Sequence, residues 1–166
     1  MRSHTYKSIK RCSNHMKKTN QISLPVDELP KEWYNIQPDL PEPLPTPKEP
    51  GDGVSRMDFL NRTMINECLR QEFSPMRWIS IPDEVRQLYI QVGRPRPLYR
   101  ALKLEQHLKL KKTRIYYKRE DLSPTGSHKV NTALAQAYYA AKEGKTTLVT
   151  ETGAGQWGSA LAMACT

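Results

Sequence analysis

This sequence has no long apolar run, no closely spaced pair of cysteines and no acidic residue near its start. No window approaches the roughly 20 apolar residues that span a membrane, and no apolar secretory-signal core opens the chain. The three cysteines, at positions 12, 68 and 165, are far apart and include no C-x-x-C pair. These features indicate neither a disulfide framework nor a zinc site, and they predict a cytoplasmic protein with no metal and no membrane partner.

The lack of acid near the start accounts for much of the net charge of +9. Residues 1–20 hold six of the 26 basic residues and no acid, and the rest of the chain is nearly balanced. This distribution argues against a nucleic-acid partner, so the lysines at 109–112 are interpreted as a solvated face. A mean hydropathy of −0.72 predicts an unpacked part of the chain. Residues 1–28 are assigned to a basic, disordered tail, with an organelle transit peptide left open as an alternative.

Proline is concentrated in one segment. Eight of the 13 prolines lie between Pro25 and Pro50, a density that permits neither a helix nor an inner strand. Residues 29–55 are therefore predicted to form an extended arm. The large apolar residues Trp33, Tyr34 and Ile36 favour an arm that docks on the protein, and a proline-rich ligand for an aromatic groove is the competing interpretation.

Apolar spacing and turn residues predict a change of architecture near residue 113. The helices predicted before it cover residues 56–70, 83–92 and 101–110. The elements predicted after it are a strand at 114–118, a loop at 123–127, a helix at 131–143, a strand at 146–150, a glycine loop and a helix at 159–165. This order predicts an α/β fold whose two strands run parallel, joined by a right-handed crossover. Since a parallel sheet needs more strands, residues 56–166 are interpreted as an incomplete α/β domain.

Lys129 is a candidate catalytic residue because it stands at a predicted helix start, behind the loop of Gly126. Unpaired N–H groups and the helix dipole at such a position favour an anion and raise the cost of an ammonium. A lysine at such a position suits a Schiff base with an aldehyde cofactor, a reaction that requires a neutral amine. An ordinary solvated lysine at a helix end is the alternative that the single residue leaves open.

A second motif, Glu151 to Gly158, follows the predicted strand at 146–150. Open α/β sheets bind ligands at the carboxyl ends of their strands, where this motif and the Lys129 loop are both expected. Backbone donors in such a loop suit a carboxylate, and Glu151 at its edge is placed for proton transfer. The absence of G-x-G-x-x-G and G-x-x-x-x-G-K patterns disfavours dinucleotide and P-loop sites.

Together these segments resemble the tryptophan synthase β family of pyridoxal-phosphate enzymes. The stretch Gly126-Ser127-His128-Lys129-Val130-Asn131-Thr132 is similar to the family's cofactor-lysine motif, and Glu151 to Gly158 is similar to its substrate-carboxylate loop. Three other segments also resemble parts of the family: 93–99, 118–122 and 32–41. Segment 32–41 is similar to the start of the family's divergent second branch. Trp157 agrees with that branch, because a histidine follows the glutamine in the commoner one.

The resemblance implies roles for individual residues. Lys129 would hold pyridoxal 5'-phosphate and move the substrate α-proton, His128 would lie against the cofactor phosphate, and Glu151 would assist loss of the serine hydroxyl and steer indole addition. Gln156 would also lie near the cofactor ring. The residues implied to bind the amino-acid carboxylate are Thr152, Gly153, Ala154, Gly155 and Gln156.

The resemblance also implies a whole enzyme larger than this chain. Its substrates would be L-serine and indole, it would form a homodimer at full length, and an α subunit is left open as a partner. The family's glycine-rich phosphate cup would lie beyond Thr166, so the chain is interpreted as an N-terminal part that is inactive alone. The alternatives are another enzyme of the same fold group, such as a threonine synthase, a serine or threonine dehydratase or a cysteine synthase, and a non-catalytic remnant that binds a partner.

Overall fold

The computed structural model describes residues 20–45, 48–49, 51 and 53–166. Most of the predicted basic tail therefore lies outside the described residues. The chain divides into two compact units. The described part of the first comprises residues 20–23 and 97–118, and the second comprises residues 24–96 and 119–166 without the gaps.

Short strands and short helices make up the described residues. The strands are β1 (Gln21–Ile22), β2 (Glu32–Tyr34), β3 (Trp78–Ser80), β4 (Leu98–Arg100) and β5 (Tyr116–Lys118). The α-helices are α1 (Arg56–Thr63), α2 (Asn66–Glu72), α3 (Asp83–Gln91), α4 (Leu102–His107), α5 (Lys129–Lys142) and α6 (Gln156–Ala164). Helices α3, α5 and α6 confirm the helices predicted near those positions, although α5 begins two residues and α6 three residues earlier than predicted.

The first unit is a small antiparallel sheet with α4 beside it. Strand β4 lies between β1 and β5 and pairs antiparallel with both. The buried carboxylate of Glu105 on α4 accepts hydrogen bonds from Arg100 Nη2 at 2.7 Å and from the Ile115 backbone N–H at 2.8 Å. These bonds join α4 to β4 and to the segment that leads into β5. The Arg100 hydrogen bonds, followed by the bond from Ile115, hold the pKa of Glu105 below its usual range.

The second unit packs helices α3, α5 and α6 around an apolar core. Its least exposed side chains include Val85 on α3, Val130 and Ala133 on α5, and Ala160 on α6. The small side chains let α5 and α6 approach closely, which fixes the relative positions of their first turns. The starts of both candidate site motifs are therefore held by one core.

The segment before the proline run packs within the second unit. Strand β2 pairs antiparallel with β3, and Trp33 packs against the core with its ring 6.4 Å from that of Tyr139. Tyr34 and Ile36, in contrast, remain more than half exposed. Of the three large residues that favoured docking, only Trp33 therefore supplies buried apolar area to the core.

The helix predicted at 56–70 is two helices. The backbone is extended at Met64 and Ile65, between α1 and α2. Ile65 packs against the core, and the Glu143 carboxylate accepts hydrogen bonds from the N–H groups of Asn66 at 3.2 Å and Glu67 at 2.9 Å. A tertiary contact thus supplies the hydrogen-bond acceptor for the start of α2. The helix therefore breaks before α2, although the apolar spacing of residues 56–70 continues across the break.

The predicted parallel pair of strands is wrong. Strand β5 pairs antiparallel with β4, and residues 146–150 form no strand within the described part of the chain. Those residues line an open cavity of about 660 Å³ beside α5 and α6, with Val149 92% exposed. A strand is stabilised only by a hydrogen-bonded partner, and no backbone partner for residues 146–150 exists among the described residues.

No helix within the described ranges has the length and apolar character needed to cross a membrane.

Candidate active site

Lys129 is the first residue of α5 and is half-buried. The loop before it is closed by Ser123, whose Oγ donates to the Ser127 carbonyl at 2.6 Å and accepts from the Ser127 N–H at 2.9 Å. The Gly126 N–H also donates to the Ser123 carbonyl at 2.9 Å. These two bonds fix the backbone immediately before Lys129, because the buried Ser123 side chain holds both the N–H and the carbonyl of Ser127.

His128 precedes the helix and is exposed. Its backbone already has helical dihedral angles, and its carbonyl accepts from the Asn131 N–H at 3.0 Å. The Lys129 N–H donates to Ser127 Oγ at 3.4 Å, and the positive end of the helix dipole at this position favours an anionic group. A phosphate there would meet the helix end together with the His128 side chain.

Two buried polar atoms near this loop in the sequence lack a hydrogen-bond partner. Thr125 Oγ1 and Asn131 Oδ1 are buried and have no hydrogen-bond partner among the described residues. Buried polar atoms without partners are rare in native proteins, and they mark sites where a ligand or another part of the protein supplies the missing bond. The Thr125 hydroxyl, in the loop before Lys129, is therefore available to a polar cofactor, whereas the Asn131 amide oxygen can only accept a hydrogen bond.

The second motif forms a loop that folds back on the first turn of α6. Trp157 Nε1 donates to Thr150 Oγ1 at 2.7 Å, and the Gly158 N–H donates to Thr152 Oγ1 at 3.1 Å. Gly155 caps the helix with φ +86°, a conformation that side chains strongly disfavour. The loop shape is consequently set by two threonine hydroxyls and one left-handed glycine.

The side chains assigned to the substrate lie on the outside of this loop. Residues 151–154 and Gln156 are exposed, and Gly155 is half-buried. No hydrogen bond or ion pair joins Lys129 or His128 to residues 151–156 within the described part of the chain. The two motifs are instead related through the packing of α5 on α6, which share the core.

Sequence reasoning overlooked several residues that support the site. Ser123 closes the Lys129 loop, and Thr150 fixes Trp157. Arg96 is buried and forms an ion pair with Glu120, which also binds Asn131 of α5. Ser123 and Arg96 are buried polar residues inside or beside segments that resemble the family, and that position was the available signal.

The sequence is similar to known enzymes over most of its length. Residues 90–166 match the family model of pyridoxal-phosphate dependent enzymes. The chain is 58% identical over 146 residues to tryptophan synthase β chain 2 of Methanothermobacter thermautotrophicus, which covers 88% of this chain and 34% of that protein. It is 58% identical over 138 residues to the tryptophan synthase β chain of Pyrococcus horikoshii, covering 82% and 30%.

A third relative, tryptophan synthase β chain 1 of Sulfurisphaera tokodaii, is 55% identical over 139 residues, which covers 83% of this chain and 33% of that protein. The chain thus spans about a third of the length of these curated relatives.

Proposed function

Because residues 90–166 match the pyridoxal-phosphate dependent enzymes and 88% of the chain is similar to a tryptophan synthase β chain, we propose that it is part of an enzyme that joins L-serine and indole into L-tryptophan. The observation that carries the proposal is the position of Lys129. It is the first residue of α5, behind a loop that Ser123 closes, in a segment similar to the family's cofactor-lysine motif.

The residues near Lys129 fit pyridoxal phosphate. The cofactor brings a phosphate, which suits the start of α5 and His128, and a ring with polar substituents, which suits unpartnered polar atoms such as Thr125 Oγ1. Gln156 is the residue of the second motif assigned to the ring. When bound, pyridoxal phosphate supplies an electron sink that lets bonds at the serine α-carbon break.

The remaining steps belong to side chains of this chain. Lys129 would hold the cofactor aldehyde through its amine and then move the proton at the serine α-carbon. Glu151 would donate a proton to the serine hydroxyl as it leaves and would orient indole for addition. Holding the substrate carboxylate is the role assigned to Thr152, Gly153, Ala154, Gly155 and Gln156.

The loop geometry supports the carboxylate role. Gly155 at the start of α6 permits the backbone to turn its N–H groups toward an anion, and Thr152 is fixed by its bond to Gly158. A preorganised loop loses little entropy when the substrate binds. Exposure of residues 151–154 leaves their polar groups accessible to a small amino acid.

The test uses a fusion in which this chain replaces the segment that it matches in the Methanothermobacter relative, hereafter the completed protein. With pyridoxal phosphate it should show the visible absorbance of lysine-bound cofactor. After borohydride reduction, mass mapping should find the cofactor on Lys129. Lys129→Ala should abolish both signals, whereas Lys142→Ala, at the other end of α5, should retain them.

The completed protein without any of these substitutions is the parent. Attachment of the cofactor to another lysine in the parent would contradict the proposal. So would retention of the band, together with tryptophan formation, by Lys129→Ala. Indole and serine are the substrates to supply, and production of tryptophan by the parent completes the assignment.

The larger assembly and location are also part of the proposal. We expect the completed protein to be a homodimer, which sedimentation analysis would check, and an α subunit remains an open partner. The widely spaced cysteines, of which Cys68 and Cys165 are free thiols, support a cytoplasmic location. Cell fractionation would check that location.

A further inference from the structure

Arg96 is a cation enclosed by the protein. Its side chain is 1% exposed, and Nη2 donates to the Val92 carbonyl at the end of α3 at 2.6 Å. Burial lowers the pKa of Arg96, and nearby Glu120 opposes that shift. Because guanidinium is costly to remove from water, a buried arginine requires a compensating partner.

Glu120 is that partner and also reaches α5. Its Oε2 lies 3.6 Å from Arg96 Nη1 and accepts a hydrogen bond from Asn131 Nδ2 at 3.0 Å. One carboxylate oxygen therefore connects the end of α3, through Arg96, with the first turn of α5. The 3-10 helix Glu120–Leu122 carries this oxygen just ahead of the Ser123 closure.

The contact lies on the side of α5 away from Lys129. Successive residues of an α-helix are rotated by about 100°, so the side chains two residues apart leave from nearly opposite faces. Asn131 is two residues after Lys129. Holding Asn131 therefore fixes the rotation of the first turn without occupying the space into which Lys129 extends.

Stability alone is a weak reason for such an arrangement. A buried ion pair contributes little net stability, because desolvation offsets the attraction, although removing one partner is costly. Arg96 is also too enclosed to touch a substrate. Its Nε and Nη1 have no hydrogen-bond partner among the described residues, so Glu120 compensates its charge through the 3.6 Å ion pair alone. Its influence on chemistry must pass through Glu120.

We propose that Arg96 and Glu120 are positioning residues that hold Asn131 and so orient Lys129 toward the cofactor. The proposal rests on the proposed function, since it presupposes that Lys129 carries the cofactor. It adds a role that acts through a network of side chains rather than through contact with the reacting atoms. Displacement of a reacting group by about 1 Å can cost about 100-fold in rate.

The experiment measures how fast Lys129 captures pyridoxal phosphate in the completed protein, by stopped-flow absorbance. Circular dichroism of the bound cofactor reports its orientation. Glu120→Ala and Asn131→Ala should each slow capture about 10- to 100-fold and alter the dichroism. The double variant should be no slower than the slower single variant, because both changes remove the same contact.

Glu105→Ala is the matched control. It removes an arginine-paired carboxylate that is buried within the first unit, where it bonds to Arg100 and Ile115. It should lower the thermal midpoint while leaving the capture rate and dichroism unchanged. This separates positioning from general loss of stability, and Asn131→Ala keeps the test decisive if Glu120→Ala does not fold.

If Asn131→Ala captures the cofactor as fast as the parent and gives the same dichroism, the positioning role is overturned. Additive slowing in the double variant would overturn it too. A parent that fails to attach the cofactor to Lys129 would instead overturn the proposed function, and the inference with it.

Discussion

Thr152 and Gly158 approach each other so closely that no methyl group fits between them. A Cβ added at Gly158 would lie 2.9 Å from Thr152 Cγ2, closer than real Cβ contacts allow. The same pair is joined by the hydrogen bond from the Gly158 N–H to Thr152 Oγ1. The shape of the proposed carboxylate loop therefore depends on the absence of one methyl group.

Gly158→Ala should displace Thr152 and weaken serine binding in the completed protein, raising KM for serine about 10-fold, since a lost hydrogen bond with strain costs about 1–2 kcal/mol. The double variant Gly158→Ala with Thr152→Ser should recover most of the loss, because serine keeps the hydroxyl and lacks Cγ2. Steady-state kinetics would measure both. If the serine substitution gives no recovery, the contact does not shape the loop.

Glu151 is assigned to proton transfer, whereas the cofactor is assigned mainly to Lys129. Glu151→Gln should therefore keep the absorbance of lysine-bound cofactor and slow tryptophan formation about 10²–10⁴-fold. Gln is isosteric and retains hydrogen bonding, but it cannot transfer the proton. A rate equal to that of the parent would exclude the role, and loss of the cofactor band would make Glu151 structural.

At the scale of elements, the end of α5 supports the start of α2. The Glu143 carboxylate accepts from the backbone N–H groups of Asn66 and Glu67 and from Asn66 Nδ2 at 3.2 Å. It lies 77 residues from Asn66 in sequence and thus caps a helix to which it does not belong. The contact also places Ile65 against the core beside α5.

Glu143→Ala should expose the first N–H groups of α2 and destabilise this region by about 0.5–2 kcal/mol, the usual cost of losing an N-terminal cap. Hydrogen exchange of the α2 amides should accelerate most. Glu84→Ala is the control, because its ion pair with Lys142 is about 60% exposed at both ends and contributes little. Equal acceleration in the two variants would contradict the capping role.

For the whole molecule, acid pH removes specific ion pairs and increases the net positive charge. Hydrogen bonds from Arg100 lower the pKa of Glu105, and those from Arg70 lower the pKa of Glu67. These carboxylates bind protons less readily when folded than when unfolded. Their contribution to stability is therefore present above the ordinary carboxyl pKa of about 4.3 and is lost as pH falls through the lower folded values.

Glu105→Gln should accordingly be less stable than the parent near pH 7, with the difference shrinking as pH falls from about 5 toward 3. Urea unfolding followed by circular dichroism at several pH values would measure it in the completed protein. Asp27→Asn, a change at an exposed residue, is the control and should follow the parent throughout. A difference that stays constant with pH would show that protonation of Glu105 does not govern the loss.

Local signals in the sequence predicted much of what positions the site. Helix start and stop signals located α3, an alanine-rich run located α5, and the turn residues at 123–127 located the loop before Lys129. The motifs around Lys129 and Glu151 indicated a pyridoxal-phosphate enzyme, in agreement with the family match of residues 90–166. These features depend on residues within a few positions of one another, so they can be read from the sequence alone.

Only the tertiary structure decided how distant segments pair. The amino acids of β5 favour a strand, but the partner that makes it antiparallel is β4, and residues 146–150 gain no backbone partner among the described residues. The break before α2 depends on Glu143, and the placement of Asn131 depends on Glu120 and Arg96. Strand direction, remote caps and buried charge pairs are set by groups that meet only after folding, because a sequence pattern records propensity but not the partner that satisfies it.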